Sequence, residues 1–535
     1  MAPEHTRLDP SPLAARARAV GLVQRHAAWL LGVLVFATYL PSIPGDLLAY
    51  DDPWLVENNP VLKLSAGDAL RAILFDLGLS TRLALGAEYL PVRDASYWLD
   101  GALGFGAAAM RAEQVFLYVA AVLLLRAALL RNLRSRAAAE IASLCFALHP
   151  VHVESVAWIA GRKDVLALLF IAAALRVYEA RGGWRWAAVP LLAAAHFSKS
   201  MSVIACGLLL AQDLLARRRP RWRELSACAL MAGLAFALHR SVGARVSMVG
   251  GPLSGDPAAA WWTMGQVWLR YLEVLAWPPS LALMHEVPKQ TSWDPVSLLG
   301  WALVVGGAAL ALFSLRRDRP LALGAWLWFV VPLVPVSQVI FPLQNVMADR
   351  YLWLSVLGLG LALGAAWQAG RGGALVVLLA LGVWLVGSAW RADLFGDGVA
   401  LFERETRLTR GPEAPHVLAE TYARRGDAAD AERAYRLALE RPCERACEPV
   451  LLASNGLARL LVHAGRPAEA EPILRAAHAR FPDDADVVFN LIKVLYRLGR
   501  VDEARALYTE SNARFPGYSS DAARPGPPRA VREVR

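Results

Sequence analysis

The chain has 535 residues, of which 56% are hydrophobic and 19% are charged, with 56 Lys+Arg against 46 Asp+Glu. The charge is unevenly divided: residues 391–535 carry 23 basic and 22 acidic side chains, about 31% of that part, whereas residues 1–390 are about 15% charged. This step excludes a single uniform soluble domain and a disordered chain, and the nearly neutral C-terminal part shows no sign of nucleic-acid binding. We therefore expect two units, each in contact with a different solvent.

Apolar runs that approach the roughly 20 residues needed to cross a bilayer recur between Ala27 and Trp390. The first follows a basic segment, as in a signal peptide, but no small-residue cleavage site comes after it, so we interpret it as an uncleaved span. Residues 27–390 are therefore predicted to form an all-α polytopic membrane domain. It has about eleven spans, centred near residues 34, 121, 143, 172, 190, 208, 231, 306, 328, 360 and 382.

Arginine clusters set the predicted orientation, because short cytoplasmic loops collect Lys and Arg. The clusters fall on one side if the Trp-rich residues 261–277 form an interfacial helix that does not cross. Residues 1–26 are then a cytoplasmic segment, and the part after the last span lies outside the cytoplasm, as in a protein of the bacterial inner membrane. The predicted extracytoplasmic loops are residues 44–97, 149–164, 240–295 and 336–350.

The C-terminal part repeats itself every 34 residues. Gly465 and Gly499 are 34 residues apart, as are Ala470 and Ala504. A helical pair with small residues at the crossing, repeated at this period, resembles the tetratricopeptide repeat, and three copies are the minimum for a stable solenoid. We predict a linker helix over residues 391–414, three repeats over residues 415–518 and a disordered tail over residues 519–535.

Five cysteines are present. Three of them, Cys145, Cys206 and Cys228, lie in apolar spans, where a small hydrophobic side chain is the preferred explanation. Cys443 and Cys447 face an oxidising compartment in the predicted topology, so a local disulfide is consistent with their spacing. A zinc site is disfavoured, because two cysteines fall short of four ligands.

A pair of carboxylates, Asp51 and Asp52, follows the first span directly. Asp52 fits the N-cap of a helix that begins at Pro53, whereas Asp51 has no such role. Adjacent like charges raise one pKa, which suits a general base. Calcium binding is a weaker alternative, because the pair lacks alternating ligand spacing.

Further ionisable residues collect in the other predicted outer loops, and such residues near a membrane are functional candidates. Arg162 and Lys163 can be interfacial anchors, but cations on the side that usually avoids them also suit a phosphate. His149 and His152 can be metal ligands or ordinary hydrogen-bonding residues of a loop. The outer-loop candidates are Arg93, His149, His152, Glu154, Arg162, Lys163, Lys199 and Arg350.

Three of these stretches carry a family resemblance. They are Tyr50-Asp-Asp52, His149-Pro-Val-His-Val-Glu-Ser-Val-Ala-Trp-Ile-Ala-Gly-Arg-Lys-Asp164 and Ala348-Asp-Arg-Tyr351. Together with the repeats, the chain resembles the transmembrane and tetratricopeptide repeat-containing (TMTC-like) proteins, which are membrane glycosyltransferases of the GT-C class. The family usually shows Arg-Pro in the segment that reads Tyr89-Leu-Pro-Val-Arg93 here, and Lys-Pro-Met where this chain has Lys199-Ser-Met201.

The resemblance implies transfer of a sugar from a polyprenyl-phosphate-linked donor to an acceptor hydroxyl, often a protein Ser or Thr, with inversion. An inverting transfer needs a carboxylate to take the hydroxyl proton, a role that we assign to Asp51, with Asp52 beside it. Fixed cations then receive the charge of the departing phosphate, and Arg162, Lys163, Lys199 and Arg350 are the candidates. No cofactor is firmly implied. A divalent metal on Asp51, His152 and Glu154 is an option that the spacing does not demand.

Two other functions fit part of the sequence. A non-catalytic membrane scaffold would use the repeats to recruit partner proteins, since repeat proteins bind more often than they catalyse. A transporter also has many spans with buried charge, but the two halves show no symmetry and no paired broken helices.

Overall fold

The computed structural model describes residues 12–245, 253, 255–316, 320–338, 343–443 and 447–515, and for residues 12–25 only the backbone. The described chain is all-α and contains no strand, as predicted. Residues 1–11, residues 317–319, which belong to one of the arginine clusters used for the orientation, and the predicted disordered tail lie outside the described residues.

Seventeen of the described α-helices precede the repeats. Their bounds are α1 (Pro12–Tyr39), α2 (Ala66–Phe75), α3 (Leu79–Ala84), α4 (Pro91–Leu103), α5 (Ala107–Asn132), α6 (Arg136–Leu148), α7 (His152–Ala157), α8 (Arg162–Val177), α9 (Ala188–His196), α10 (Ala205–Leu215), α11 (Trp222–Arg245), α12 (Pro257–Ala276), α13 (Pro295–Arg316), α14 (Pro320–Val330), α15 (Val356–Gln368), α16 (Arg371–Gly396) and α17 (Gly398–Leu408).

Four of these helices, α5, α11, α13 and α16, are long and apolar enough to cross a membrane by length and composition. Shorter apolar stretches lie at His26–Ser42, Ser200–Leu215, Leu321–Leu333 and Val356–Gln368. The spans expected near residues 143, 172 and 190 correspond to α6, α8 and α9, with 13, 16 and 9 residues. Nine helical residues extend about 14 Å, less than half the apolar core of a bilayer, so the total of about eleven spans stays a prediction.

The Trp-rich segment predicted to be interfacial forms α12, which packs closely against α13. A Cβ atom on Gly265 would lie 2.4 Å from the backbone oxygen of Ser297, so glycine permits the close approach of the two backbones. Trp261 of α12 is 48% exposed and stacks on Trp301 of α13, with ring centroids 4.3 Å apart. The exposed tryptophan suits the headgroup level, and the interfacial position of α12 remains a prediction.

The segment between α6 and α8 is a compact buried turn. It contains the short helix α7 and a 3₁₀ turn at Ile159–Gly161. The side-chain amide of Gln114, on α5, donates to the carbonyls of Ser155, Val156 and Trp158 at 2.7–3.1 Å. A Cβ atom at Gly161 would lie 2.7 Å from the Ser155 carbonyl, so only glycine fits this turn. The N-terminal end of α5 therefore fixes the segment that carries His149, His152 and Glu154.

The repeats form three helical pairs, as the 34-residue period predicts. The crossing alanines Ala431, Ala470 and Ala504 are fully buried, and a glycine with positive φ ends the first helix of each pair. The connection between the first two pairs contains a disulfide between Cys443 and Cys447, and residues 444–446 of this connection lie outside the described chain. The six helices are α18 (Glu413–Arg425), α19 (Ala428–Glu440), α20 (Glu448–His463), α21 (Pro467–Arg480), α22 (Ala485–Arg497) and α23 (Val501–Arg514).

The predicted linker helix over residues 391–414 is not one helix. Helix α16 continues to Gly396, the chain turns at Asp397, and α17 runs from Gly398 to Leu408. Asp397 causes the break, because its side chain accepts from the backbone N–H of Val399 at 3.1 Å and starts the new helix.

The first repeat contacts the loops of the membrane domain directly. The hydroxyl of Tyr50 donates to Glu413 at 2.7 Å, and Glu57 pairs with Arg424 at 2.6 Å. The carboxylate of Glu286 accepts from the backbone N–H of Arg410 at 3.0 Å. The start of the solenoid is therefore anchored beside the Asp51 segment.

Candidate active site

The two adjacent aspartates have different surroundings. Asp52 is fully buried, and its carboxylate accepts from the backbone N–H groups of Leu48 at 2.9 Å and Ala160 at 3.0 Å. It stands at the N-cap position before Pro53, as expected, but its side chain makes no capping hydrogen bond. Burial raises the pKa of Asp52 to about 7, although these two hydrogen bonds and the charge of Arg111 hold it down. Asp52 thus ties the first loop to the turn before α8.

Asp51 is half-buried, and its carboxylate makes no hydrogen bond or ion pair with the described part of the chain. Burial raises the pKa of Asp51, while Lys163 and Arg350 lower it. Glu88 raises it further and Arg93 lowers it. The structure therefore brings Asp51 within electrostatic reach of three of the predicted cations.

Lys163 and Arg93 share one carboxylate, which the sequence analysis missed. Glu88 lies 2.9 Å from Lys163 and 3.1 Å from Arg93. Burial disfavours the charged form of Glu88, but Lys163 and Arg93 together lower its pKa to about 2. Lys163 keeps 29% of its side chain exposed, whereas Arg93 is buried and also pairs with Asp94 at 2.7 Å. Arg93 is thus enclosed by two carboxylates, whereas Lys163 keeps part of its side chain exposed.

Arg350 pairs with the second predicted carboxylate of the site. Its Nη1 lies 2.7 Å from Oε1 of the fully buried Glu154, and the other oxygen of Glu154 has no partner in the described chain. The Arg350 side chain is 16% exposed, and its guanidinium carbon lies 6.0 Å from the ring centroid of Trp158. Arg350 therefore has a fixed position and a free edge.

Two predicted phosphate-binding cations do not reach a shared surface. Arg162 is fully buried, where it pairs with Asp100 and, at 3.1 Å, with Glu113. Lys199 is also buried, where it pairs with Asp164 and lies 4.8 Å from the ring centroid of Trp353. Each is held by a carboxylate that offsets the cost of burying its charge, and a phosphate-binding role for either residue stays a prediction.

The two histidines are buried. His149 accepts from the backbone N–H of Val151 at 3.2 Å and places its other nitrogen 3.1 Å from the carbonyl of Leu275. His152 packs between the rings of Phe146 and Tyr118, with centroids 4.4 and 5.6 Å away. Within the described ranges no three His, Cys, Asp or Glu side chains are grouped as a metal site would require, so Asp51, His152 and Glu154 do not form the predicted alternative.

A cleft lies between the membrane domain and the first repeat, and its walls hold residues that the sequence analysis missed. It is lined by Tyr50, His285, Arg350 and Glu413, among others. His285 pairs with Asp349 at 2.7 Å, and although burial lowers the pKa of His285, Asp349 raises it above its ordinary value. Asp349 belongs to the Ala348–Tyr351 motif, from which the sequence analysis had already chosen Arg350. The motif could therefore have pointed to Asp349 as well. Glu413 and His285 come from other parts of the chain and could be placed only by the fold.

Comparison with known proteins gives two kinds of similarity. The sequence model of the tetratricopeptide repeat family matches residues 461–524. The human protein O-mannosyl-transferase TMTC1 is 26% identical over 407 residues, which are 64% of this chain and 46% of the human protein. The mouse TMTC1 protein is 33% identical over 166 residues, 30% of this chain and 17% of the relative, and the Caenorhabditis elegans protein O-mannosyl-transferase F38B6.6 is 24% identical over 226 residues, 41% and 32% respectively.

The chain spans less than half the length of these curated relatives. No solved structure matches it significantly. An all-α protein with several long apolar helices and a tetratricopeptide solenoid is the class that the fold defines. Within this class the chain is TMTC-like, which confirms the resemblance predicted from its motifs.

Proposed function

We propose that this chain is a membrane glycosyltransferase that transfers a sugar from a polyprenyl-phosphate-linked donor to a hydroxyl of a polypeptide, with inversion, on the extracytoplasmic side. Because the relatives are named protein O-mannosyl-transferases, the proposed sugar is mannose. The observation that carries the proposal is the state of Asp51, a half-buried carboxylate without a partner in the described chain, near Lys163 and Arg350.

Asp51 is the proposed general base. The acceptor oxygen forms a bond to the anomeric carbon as the bond from that carbon to the phosphate oxygen breaks. The hydroxyl proton passes to Asp51, and the bonding electrons leave with the phosphate, as in an inverting glycosidase whose water is replaced by an acceptor. The raised pKa of Asp51 makes its carboxylate a better proton acceptor than an ordinary exposed aspartate.

Lys163 and Arg350 are the proposed phosphate contacts. Both keep part of their side chain exposed, at 29% and 16%, and both have one carboxylate partner that fixes their position. A donor phosphate would contact Lys163 beside its partner Glu88. It would also contact the side of the Arg350 guanidinium that does not face Glu154. The deeper ion pairs of Arg162 and Lys199 hold the turn before α8 and the segment before α10 in place.

The cleft between the two units is the proposed acceptor route. Tyr50 joins this cleft to Asp51, since it is the neighbouring residue and donates to Glu413 of the first repeat. A polypeptide held by the repeats would reach the base through this opening.

A transfer assay tests the proposed reaction. Inner-membrane vesicles from a bacterial host that expresses the full chain are opened to both sides and given polyprenyl-phosphate mannose with a labelled sugar. We expect label in membrane proteins that alkaline elimination releases, and none above the empty-host background from a labelled nucleotide sugar. The absence of protein-bound label from the lipid-linked donor would overturn the proposal.

A membrane scaffold is the second candidate, and one observation favours it. Each of the four cations predicted to bind phosphate has a carboxylate partner, which is how a purely structural ion network is built. A scaffold would keep its partner proteins when Asp51 is replaced and would transfer no sugar before or after that change.

A further inference from the structure

A nearly buried histidine with a free ring nitrogen lies in the wall of the cleft between the membrane domain and the first repeat. The side chain of His285 is 6% exposed, and its Nε2 lies 2.7 Å from Oδ1 of Asp349. The other ring nitrogen, Nδ1, has no hydrogen-bond partner in the described chain and is not among the fully enclosed polar atoms. Because His285 lines the cleft, Nδ1 is the atom that it presents to a bound group.

Two carboxylates hold the segment that carries His285. Asp349 accepts from the backbone N–H of Ala282 at 2.7 Å, and Glu405 accepts from that of Leu283 at 2.9 Å. Both carboxylates are fully buried. The imidazole is therefore held in position on its backbone side and on its ring side, as contact with a ligand in a defined geometry requires.

The charges around this histidine nearly balance. An imidazolium at His285 is offset by Asp349, and the guanidinium of Arg350 in the cleft wall is offset by Glu154. The other charged groups that line the cleft or act on its lining are Glu286, Arg391, Arg404, Glu405, Glu413 and Arg441. Since neither sign dominates, the site suits an uncharged polar group better than a phosphate.

The size of the cleft and its polar atoms fit one unit of a polypeptide backbone. The cavity volume is about 50 Å³, room for a few water molecules or one peptide group but not for a sugar ring. Glu413 uses one carboxylate oxygen to accept from Tyr50, and the other has no partner in the part of the chain that is described. The cleft thus offers a donor, Nδ1 of protonated His285, for a backbone carbonyl and an acceptor, the Glu413 carboxylate, for a backbone N–H.

We propose that His285 binds the acceptor polypeptide, its Nδ1–H donating to a backbone carbonyl of the segment that carries the target hydroxyl. This inference rests on the proposed function, in which the cleft is the acceptor route, and it assigns recognition there to the backbone and not to a particular side chain. His285 takes no proton from the hydroxyl, which is the role proposed for Asp51.

The protonation of His285 gives this contact a pH dependence. Burial lowers the pKa of His285, but Asp349, Glu154 and Glu405 raise it above the ordinary value of 6.5. In the neutral ring the remaining proton faces Asp349 on Nε2, so Nδ1 can no longer donate. Affinity for a polypeptide should therefore fall as pH rises through a pKa that lies above 6.5.

Direct binding to the purified full chain in neutral detergent micelles tests the contact. The probe is a fluorescent pool of nine-residue peptides with capped ends, a central threonine and random uncharged residues elsewhere, and fluorescence anisotropy gives its affinity. We expect saturable binding at pH 6 that weakens about tenfold by pH 9, as the loss of a hydrogen bond to a charged group implies. No saturable binding, or an affinity that is the same at both pH values, would overturn the proposal.

Three variants assign the effect to His285. His285→Phe should weaken binding about tenfold at pH 6, whereas His285→Asn, whose side-chain amide can donate from nearly the position of Nδ1, should recover most of the affinity and lose the pH dependence. Asp349→Asn should move the fall in affinity to lower pH, because the charge that raises the pKa of His285 is removed. Gel filtration checks that each variant remains folded, and His26→Asn, an exposed histidine on α1, is the matched control and should behave as the unmodified chain. Unchanged affinity and pH dependence in His285→Asn and His285→Phe would contradict the assignment.

Transfer kinetics with the same peptides separate this inference from the proposed function. We expect His285→Phe to raise the KM for the peptide pool about tenfold and to leave the KM for polyprenyl-phosphate mannose within about twofold. Peptide binding that depends on His285 without any transfer would sink the proposed reaction and retain this contact. Transfer with an unchanged peptide KM in His285→Phe would retain the reaction and overturn the contact.

Discussion

Single residues of the candidate site differ mainly in what the fold gives them as partners. Asp51 and Asp52 are adjacent and chemically identical, but only Asp52 receives two backbone N–H groups. One of these donors, Ala160, is 108 positions away in the sequence. The sequence predicted that one aspartate would be structural and the other available, and it could not provide the distant donor that distinguishes them.

The first prediction concerns the pH dependence of transfer. A general base must be ionised, so the rate rises as pH increases through the pKa of Asp51. Glu88 raises that pKa and Lys163 lowers it. Glu88→Gln should therefore move the acidic limb of the rate profile to lower pH, and Lys163→Met should move it to higher pH. Initial rates measured over the acidic range give the limb directly, and limbs that coincide in both variants would contradict the assignment of Asp51.

The second prediction concerns the buried pair of Arg350 and Glu154. Arg350→Met leaves the fully buried Glu154 without its cation, and such a loss typically costs about 3–5 kcal/mol. Arg350→Met combined with Glu154→Gln should recover most of that stability. Unfolding of the full chain in micelles by denaturant measures both. A double variant no more stable than Arg350→Met would show that the pair does not act as a unit.

At the scale of secondary-structure elements, the sequence predicted the helices of the repeats but not the lengths of the helices in the membrane domain. The 34-residue period gave the helical pairs of the repeats, because spacing alone fixes which residues lie at each crossing and turn. Apolar runs did not give helix lengths in the membrane domain. The run near residue 190 contains a helix of only 9 residues, since the chain turns before Lys199, whose buried partner Asp164 lies on α8. Such ion pairs across elements have no local signature.

The third prediction concerns the turn inside the second repeat. Gly465 has φ of 75°, and nothing described lies within 4 Å of a Cβ atom placed there, so Gly465→Ala tests conformation without a clash. We expect a loss of about 1 kcal/mol in the unfolding free energy of the repeats. Gly465→Asn should lose less, because asparagine tolerates the left-handed region better. Equal losses in the two variants would assign the cost to something other than backbone conformation.

At the scale of the whole molecule, arginines that are far apart in the chain meet in one network. Sequence analysis placed the arginine clusters on one side, and in the structure Arg131 and Arg218 both pair with Glu179. It did not predict that the first repeat would contact the loop after α1, because such docking depends on the path of all the helices between them.

The fourth prediction concerns the orientation of the membrane domain, with the Asp51 loop outside the cytoplasm and the arginine clusters inside. Two variants that each add one exposed cysteine report it: Gly67→Cys, at the start of α2, and Arg134→Cys, just after α5. The unmodified chain, with its five native cysteines, gives the background labelling. A membrane-impermeant thiol reagent should label Gly67→Cys in cells with a permeabilised outer membrane, and Arg134→Cys only after the inner membrane is opened. The reverse pattern would place Asp51 in the cytoplasm, on the opposite side of the membrane from the proposed reaction.

The most direct test of the account compares binding and turnover in Asp51→Asn. Substitution of a general base should lower transfer of mannose from the lipid-linked donor at least 100-fold. Donor binding should stay within about twofold of the unmodified protein, because Lys163 and Arg350 remain. Asp68→Asn, in the exposed first turn of α2, is the matched control and should transfer normally. Transfer by Asp51→Asn at the rate of the Asp68→Asn control would contradict the assignment of Asp51 as the base.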